Sequence, residues 1–502
     1  MPETSEDTGR SSIPPGRTTP RALPLKRRIG LAGGPALALI LLFCPAPAEM
    51  PPEAWRMVAL AAWMVIWWLT EAIAIAATAL LPLVLMPLLG IADMNRTAAS
   101  YADPLIFLFL GGFLIAAAMQ RVGLHRRIAL KIITLVGGTP ARIVLGFMIA
   151  TGFLSMWISN TAATIMMYAV GLSVIDFLRR NTDDAGAVRR FGVALMLGIA
   201  YSASIGGVGT LIGTPPNALL ASFLRSAHGI EITFLDWMKL GLPVVAVMLP
   251  AAWLLLTRIL FPAGRIAVGN PGTIVAGELR ALGPMEAGER LVGVVFACAA
   301  LGWIFRAPLA GATGLPLNDT IVALTAALAL FAIPIPSAQG GSFALDWQAT
   351  RALPWDVLIL FGGGLALAGG FGSSGLAEWI GAAVGGFRIG TAALVLAVTV
   401  AMVYLTEITS NTASTATFLP VLAAIAVGMG LNPLVLTVPV ALGASMAFMM
   451  PVATPPNAIV FGYEEMRMGD MVRAGFALNI IGILVTFAIF TLLGPLIFGI
   501  SF

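Results

Sequence analysis

Apolar runs separated by short polar stretches occupy most of the chain. Eleven are long enough to cross a bilayer as helices: 29–48, 54–70, 73–92, 104–120, 191–224, 236–262, 289–306, 318–335, 353–371, 433–460 and 471–499. Two more, 141–178 and 389–427, are interrupted by a polar cluster. Backbone that leaves the helix at membrane depth is tolerated only where protein buries it or a cavity wets it, so these two read as re-entrant hairpins. The expected fold is an all-α polytopic membrane protein of about 11 transmembrane helices plus two hairpins.

The pattern also repeats. Leu110-Gly111-Gly112-Phe113 to Gly123-Leu124 returns as Gly362-Gly363-Gly364-Leu365 to Gly375-Leu376. Ser159-Asn160-Thr161-Ala162-Ala163-Thr164 returns as Ser410-Asn411-Thr412-Ala413-Ser414-Thr415, and Thr214-Pro215-Pro216-Asn217-Ala218 as Thr454-Pro455-Pro456-Asn457-Ala458. The offsets are 252, 251 and 240. Residues 54–262 and 289–499 then each hold five spans and one hairpin. An odd number of spans forces the two copies into opposite orientations, the inverted-repeat plan of secondary transporters, with the binding site where the copies meet.

Composition narrows the class further. Hydrophobic residues make up 59% of the chain and charged residues 10%, against roughly 25% charged in soluble domains. Lipid is the solvent such a chain needs. Cys44 and Cys298 lie in apolar stretches, and His125 and His228 are far apart, which supports neither a disulfide framework nor a zinc site. The net charge of +4 sits mostly in short segments between apolar runs. With the N-terminus cytoplasmic, and each hairpin returning to its own side, 22 of the 28 Lys and Arg residues fall inside. That bias is the positive-inside signature of a multi-pass inner-membrane protein and not a nucleic-acid footprint. Residues 1–28, rich in Ser, Thr, Pro and Arg, read as a disordered cytoplasmic tail. The run 29–48 ends in Ala46-Pro47-Ala48 like a signal peptide. Its polar lead is too long and the next run follows almost at once, so it is read as the first transmembrane helix.

Ser, Asn and Thr are the preferred caps of helix N-termini. At a hairpin tip they would present free N–H groups and the positive end of a helix dipole, a setting that favours an anion. One copy of Ser-Asn-Thr could equally be interhelical hydrogen bonding in a packed membrane core. Two copies at equivalent places in a repeat favour a substrate site. In Thr-Pro-Pro-Asn, the preceding Gly213 or Ala453 allows a sharp bend, Thr is the expected N-cap, and Pro takes the first helical position. A lone Pro-Pro would be a relieved kink; paired with the hairpin motif in both copies it reads as the other wall of one site. Neither motif contains Lys or Arg. The positive potential must come from dipoles, N–H donors and bound cations, for which carbonyls freed by the breaks are suitable hard ligands.

With these paired motifs the sequence resembles the divalent anion/sodium symporters, carriers of dicarboxylates, citrate or sulfate, from about residue 50 to the C-terminus. The resemblance implies a sodium-coupled symporter, not an enzyme, for small di- or tricarboxylates, with C4-dicarboxylates such as succinate, malate or fumarate foremost. It implies a homodimer whose transport domain moves against a scaffold in an elevator manner. It further implies that Ser159, Asn160, Thr161, Ser410, Asn411 and Thr412 hold substrate carboxylates, with Thr214, Pro215, Thr454 and Pro455 nearby. One sodium site would use Ser155, Asn160 and Gly213, the other Thr406, Asn411 and Ala453. The co-transported sodium ions are the expected cofactors.

Glu407 stands three positions before Ser410, where the first copy has Met156. It could add charge to a cation site or accept backbone hydrogen bonds. The second reading is preferred, because a carboxylate in view of an anionic substrate would repel it. Glu71 follows Trp67-Trp68-Leu69-Thr70 and is read as facing water at the membrane interface. The rival readings are a sodium-independent exchanger of the same fold, a sulfate or citrate carrier, and an arsenite or proton-coupled carrier. Metalloprotease and nucleophile-elbow motifs of an intramembrane enzyme are absent from the sequence.

Overall fold

The computed structural model describes residues 24–47, 49–262, 272–336, 342–384 and 390–502. Residues 1–23 of the expected tail lie outside the described residues, and α1 (Leu25–Phe43) already opens four positions before the expected start. It packs against α2 (Pro52–Thr70). The third apolar run is divided into α3 (Ile75–Thr78) and α4 (Leu81–Leu88). Pro82 falls just after the division, and its ring nitrogen cannot continue the ladder of hydrogen bonds. Short α5 (Met94–Ala99) leads to α6 (Pro104–Arg121), α7 (Leu124–Val136), α8 (Pro140–Ser155) and α9 (Asn160–Asn181). Next come α10 (Ala185–Gly207), α11 (Pro215–His228) and α12 (Phe234–Leu254), which runs on into a π-helical turn, Leu255–Leu260. The chain continues through α13 (Gly272–Ala281), α14 (Ala287–Ile304), α15 (Arg306–Thr313) and α16 (Asp319–Ala332). Pro334–Ile335 and Ser342–Phe343 then form a short antiparallel ladder. The last seven helices are α17 (Trp355–Ser373), α18 (Leu376–Val384), α19 (Thr391–Thr406), α20 (Asn411–Gly428), α21 (Leu434–Ala444), α22 (Pro455–Phe461) and α23 (Met468–Phe498).

Each of the eleven apolar runs contains helix, three of them in two pieces: 73–92, 191–224 and 433–460. Among the described residues eight helical stretches are long and apolar enough to cross a membrane on their own, and two of them, Asn160–Asn181 and Asn411–Gly428, belong to the interrupted runs. The arms of 141–178 are α8 and α9. Those of 389–427 are α19 and α20, with residue 389 outside the described set.

The order α6 to α12 recurs as α17 to α23. Gly123 and Gly375 occupy the same joint in the two series, with φ of 76° and 78°, a left-handed conformation that glycine adopts without a Cβ clash. The offset shrinks from 251 to 240 chiefly because α21 has 11 residues where α10 has 23. Helices α7 and α18, which follow those glycines, have no counterpart among the long apolar runs because α7 carries His125, Arg126, Arg127 and Lys131 and α18 is only nine residues long. Arg127 of α7 is nevertheless buried: it forms a two-pronged ion pair with Glu289 of α14 at 2.7 and 2.9 Å. It also donates to the carbonyls of Leu282, Gly283 and Pro284.

The centre of the molecule is α10, buried along nearly its whole length and packed by α8, α9, α12 and α22. Small residues make this approach possible. A Cβ on Gly206 would collide with the main chain of Gly152 in α8. That contact brings the end of α10 beside the end of α8, where the first Ser-Asn-Thr motif begins.

Candidate substrate and cation site

Each Ser-Asn-Thr motif starts a helix. Ser159 is the N-cap of α9, its Oγ accepting from the Ala162 N–H at 3.2 Å, and Ser410 caps α20 in the same way through Ala413 at 3.5 Å. Asn and Thr are therefore the first and second helical residues, where main-chain N–H groups have no intrahelical acceptor. Further in, Thr164 and Thr415 bond back to the carbonyls of Asn160 and Asn411, both at 2.7 Å. Four residues, 156–159 and 407–410, make each turn between the hairpin arms.

Each Thr-Pro-Pro motif restarts a broken helix. The chain leaves the α-helix after Gly207 and re-enters it at Pro215; it does the same between Ala444 and Pro455. Thr454 caps α22 as expected, its Oγ1 accepting from the Asn457 N–H at 3.3 Å. Thr214 has the same extended backbone, but its side chain makes no capping bond, which corrects the expectation for that copy.

What holds each break together is the Asn of Thr-Pro-Pro-Asn, a residue to which the motif alone assigns no role. Asn217 Nδ2 donates to the carbonyls of Gly207 at 3.1 Å and Thr210 at 2.8 Å. Asn457 Nδ2 donates to Ala447 at 3.4 Å and Met450 at 3.1 Å. All three residues of the first clasp map onto the second by the same offset of 240. The signal was available in the repeated word, since its Asn amide carries two N–H donors, enough for two freed carbonyls, where the Thr hydroxyl carries one.

The motifs come together across the two copies. Helix α22, from the second Thr-Pro-Pro, packs on α9, from the first Ser-Asn-Thr, and α11 packs reciprocally on α20. Exposure is layered. Ser159 and Pro455 are exposed, while Asn160, Thr161, Pro215, Ser410, Asn411 and Thr412 are half-buried. Thr214 and Thr454 are buried, as are Ser155, Gly213, Thr406 and Ala453. The asparagines thus bridge an accessible layer and a covered one.

In the covered layer the first copy is assembled. Ser155 Oγ donates to Asn160 Oδ1, and a Cβ added at Gly207 would meet Asn160 Oδ1 at 2.9 Å and the Gly213 carbonyl at 3.1 Å, which places the three residues side by side. The second copy is arranged differently. Thr406 Oγ1 donates into its own helix, to Met402 at 3.0 Å and Val403 at 3.1 Å, and Asn411 Oδ1 is buried without a hydrogen-bond partner. No described hydrogen bond joins Thr406, Asn411 and Ala453 to one another. These neutral oxygens suit a hard monovalent cation. Among the described residues no group of three or more His, Cys, Asp or Glu side chains could hold a metal ion.

Glu407 adopts the structural role preferred for it. Its carboxylate accepts main-chain N–H groups of the second break, from Phe448, Met449 and Met450, together with the amide of Asn479 in α23. Glu71 is exposed, at the left-handed end of α2. A separate cavity of about 720 Å³ lies between α11, α17, α18 and α20, lined by Arg96, His228 and Glu378 among others, and includes none of the motif residues.

A family model described as "Sodium:sulfate symporter transmembrane region" matches residues 29–500. A sodium-dependent dicarboxylate transporter of Staphylococcus saprophyticus is 41% identical over 479 residues, covering 94% of this chain and 92% of the relative. One of Staphylococcus aureus is 41% identical over 480 residues with the same coverage. Among solved structures, the YdaH transporter of Alcanivorax borkumensis aligns with a TM-score of 0.52 at 14% identity, over 89% of this chain and 99% of its own. MtrF of Neisseria gonorrhoeae, from a class of antimetabolite efflux pumps, aligns with 0.53 at 11% identity, over 91% and 96%. At such identities these two report the fold alone.

Proposed function

The chain belongs to the divalent anion/sodium symporter family, and from that premise we propose that it carries small di- or tricarboxylates across the membrane together with sodium, C4-dicarboxylates foremost. The observation that carries this reading is the pair of capped Ser-Asn-Thr helix starts, each above a covered set of neutral oxygens, in motifs without a basic side chain. The names of the Staphylococcus relatives support the same substrate class and the same coupling ion.

In this reading the helix starts at Ser159-Asn160-Thr161 and Ser410-Asn411-Thr412 hold the carboxylates through N–H and hydroxyl donors. Helix dipoles supply only about half a positive charge each at these ends. Sodium held at Ser155, Asn160 and Gly213, and at Thr406, Asn411 and Ala453, offsets the remaining charge of a dianion. Thr214, Pro215, Thr454 and Pro455 close the opposite wall. The inverted relation of 54–262 to 289–499, hairpins at 141–178 and 389–427, elevator movement and a homodimer complete the proposal. So does an inner-membrane location with a cytoplasmic N-terminus.

Uptake of labelled succinate into proteoliposomes, with and without an inward sodium gradient, tests the reading. Uptake should follow the sodium gradient and compete with excess unlabelled dicarboxylate more strongly than with sulfate or citrate. Equal uptake in choline or potassium buffer without a proton gradient would sink sodium coupling in favour of exchange.

A further inference from the structure

The two copies of the site are tied together by different chemistry at equivalent positions. Met156 and Thr210 of the first copy correspond to Glu407 and Met450 of the second by the offsets 251 and 240. In the first copy the Thr210 hydroxyl donates to the Met156 main-chain carbonyl at 2.6 Å, a single neutral hydrogen bond. In the second, Glu407 is 4% exposed and its two oxygens take four main-chain hydrogen bonds. Oε1 accepts from Phe448 at 2.7 Å and Met449 at 2.9 Å; Oε2 accepts from Met449 at 3.1 Å and Met450 at 3.0 Å. Asn479 Nδ2 adds a fifth, to Oε1 at 2.7 Å, while Asn479 Oδ1 accepts from Phe448 at 3.3 Å.

These bonds dictate where the loop's carbonyls go. Within a trans peptide unit the N–H and C=O point in opposite directions. Turning the N–H groups of 448–450 toward Glu407 turns the carbonyls of Ala447, Phe448 and Met449 away from it. There Asn457 takes the Ala447 carbonyl and, beyond it, that of Met450. The second break is gripped on both faces and loses its conformational freedom before a ligand arrives, the condition for a preorganised site. Ala453 lies at the end of this loop, and Thr406 immediately precedes Glu407. The Thr406 hydroxyl spends its proton on its own helix and Asn411 Oδ1 is unpartnered, which leaves oxygen lone pairs for an ion. In the first copy, by contrast, Ser155 already occupies Asn160 Oδ1.

We propose that Glu407 is a positioning residue that builds the second sodium site in advance and so makes the two sites unequal. The second is preformed. In the first, one lone pair of Asn160 Oδ1 is already committed to the Ser155 hydroxyl. The inference rests on the sodium-coupled reading and adds to it a residue and a difference between the sites.

The test is the sodium dependence of succinate uptake by full-length protein in proteoliposomes, for wild type, Glu407→Gln and Asn479→Ala. Glu407→Gln keeps the shape but turns an amide NH2 toward N–H donors. It should raise the half-maximal sodium concentration about tenfold, the scale of one charged hydrogen bond, with little change in succinate KM at saturating sodium. Asn479→Ala removes one donor from the carboxylate and should move the curve the same way by less. A purely structural role would lower the amount of dispersed protein and the maximal rate without moving half-maximal sodium. An unshifted curve in both variants overturns the inference, and Asn479→Ala decides alone if Glu407→Gln does not fold. Wild-type uptake indifferent to sodium would overturn the transport reading itself, a result separable from the variants' behaviour.

Discussion

Thr161 and Thr412 are the second residues of their helices, half-buried, with hydroxyls that no group among the described residues engages. That is the state expected of donors reserved for a ligand and not of helix caps, a task already taken by Ser159 and Ser410. Thr161→Ala and Thr412→Ala should therefore leave dispersed, folded protein in detergent while weakening succinate. A hydrogen bond to a charged group is worth roughly 1.5–3 kcal/mol, so the apparent affinity should fall about tenfold or more in each. Normal uptake by both variants would return these threonines to a packing role. Ser155 differs, because its hydroxyl engages the Asn160 amide beneath the accessible layer. Its replacement by Ala should alter the sodium requirement more than the succinate affinity at saturating sodium.

Among elements, the joint between α7 and α14 is held by a buried ion pair outside the site. Arg127 satisfies Glu289 and three consecutive carbonyls at once, so its removal strands a buried carboxylate. Breaking one side of a buried pair costs roughly 3–5 kcal/mol, and this pair belongs at the low end because it sits where a loop meets a helix. Arg127→Met should lower the thermal unfolding temperature in detergent, and Arg127→Met with Glu289→Met should recover part of the loss. A double variant no better than the single would show that the carbonyl bonds dominate. The broken helices raise a different question of legibility. Pro at the first helical position and Thr before it marked both restarts, and the helices begin at Pro215 and Pro455 as those signals require. The missing Thr214 cap was not legible, because a cap depends on a side-chain rotamer that the sequence leaves free.

At the scale of the whole molecule, the interleaving of the copies bears on coupling. Because α22 packs on α9 and α11 on α20, ordering one hairpin tip changes the wall offered by the other copy. Sodium should then tighten succinate binding, and linkage requires succinate to tighten sodium binding by the same factor. Equilibrium binding of labelled succinate across a sodium series, with the reciprocal titration, measures both factors. Succinate affinity independent of sodium would separate the ion from the anion site and leave the paired asparagines without a coupling role.

The helical membrane class, the repeat, the helix starts and the chemistry each motif can offer are all written in the order of residues along the chain. Those are local properties: run length, a cap residue and a proline act within a few turns of the chain. The same order also marks Glu407 and its preference for backbone donors. Tertiary structure alone decided which donors. Phe448, Met449, Met450 and Asn479 lie from 41 to 72 residues away: nothing local distinguishes the first three from other apolar-loop amides, and nothing local to Asn479 in α23 says which acceptor its side chain meets. The same holds for the clasping of the breaks by Asn217 and Asn457 and for the unlike states of Asn160 and Asn411. Near-identical words meet different neighbours, and in a packed interior the neighbour fixes which polar atom is satisfied and which is left for an ion.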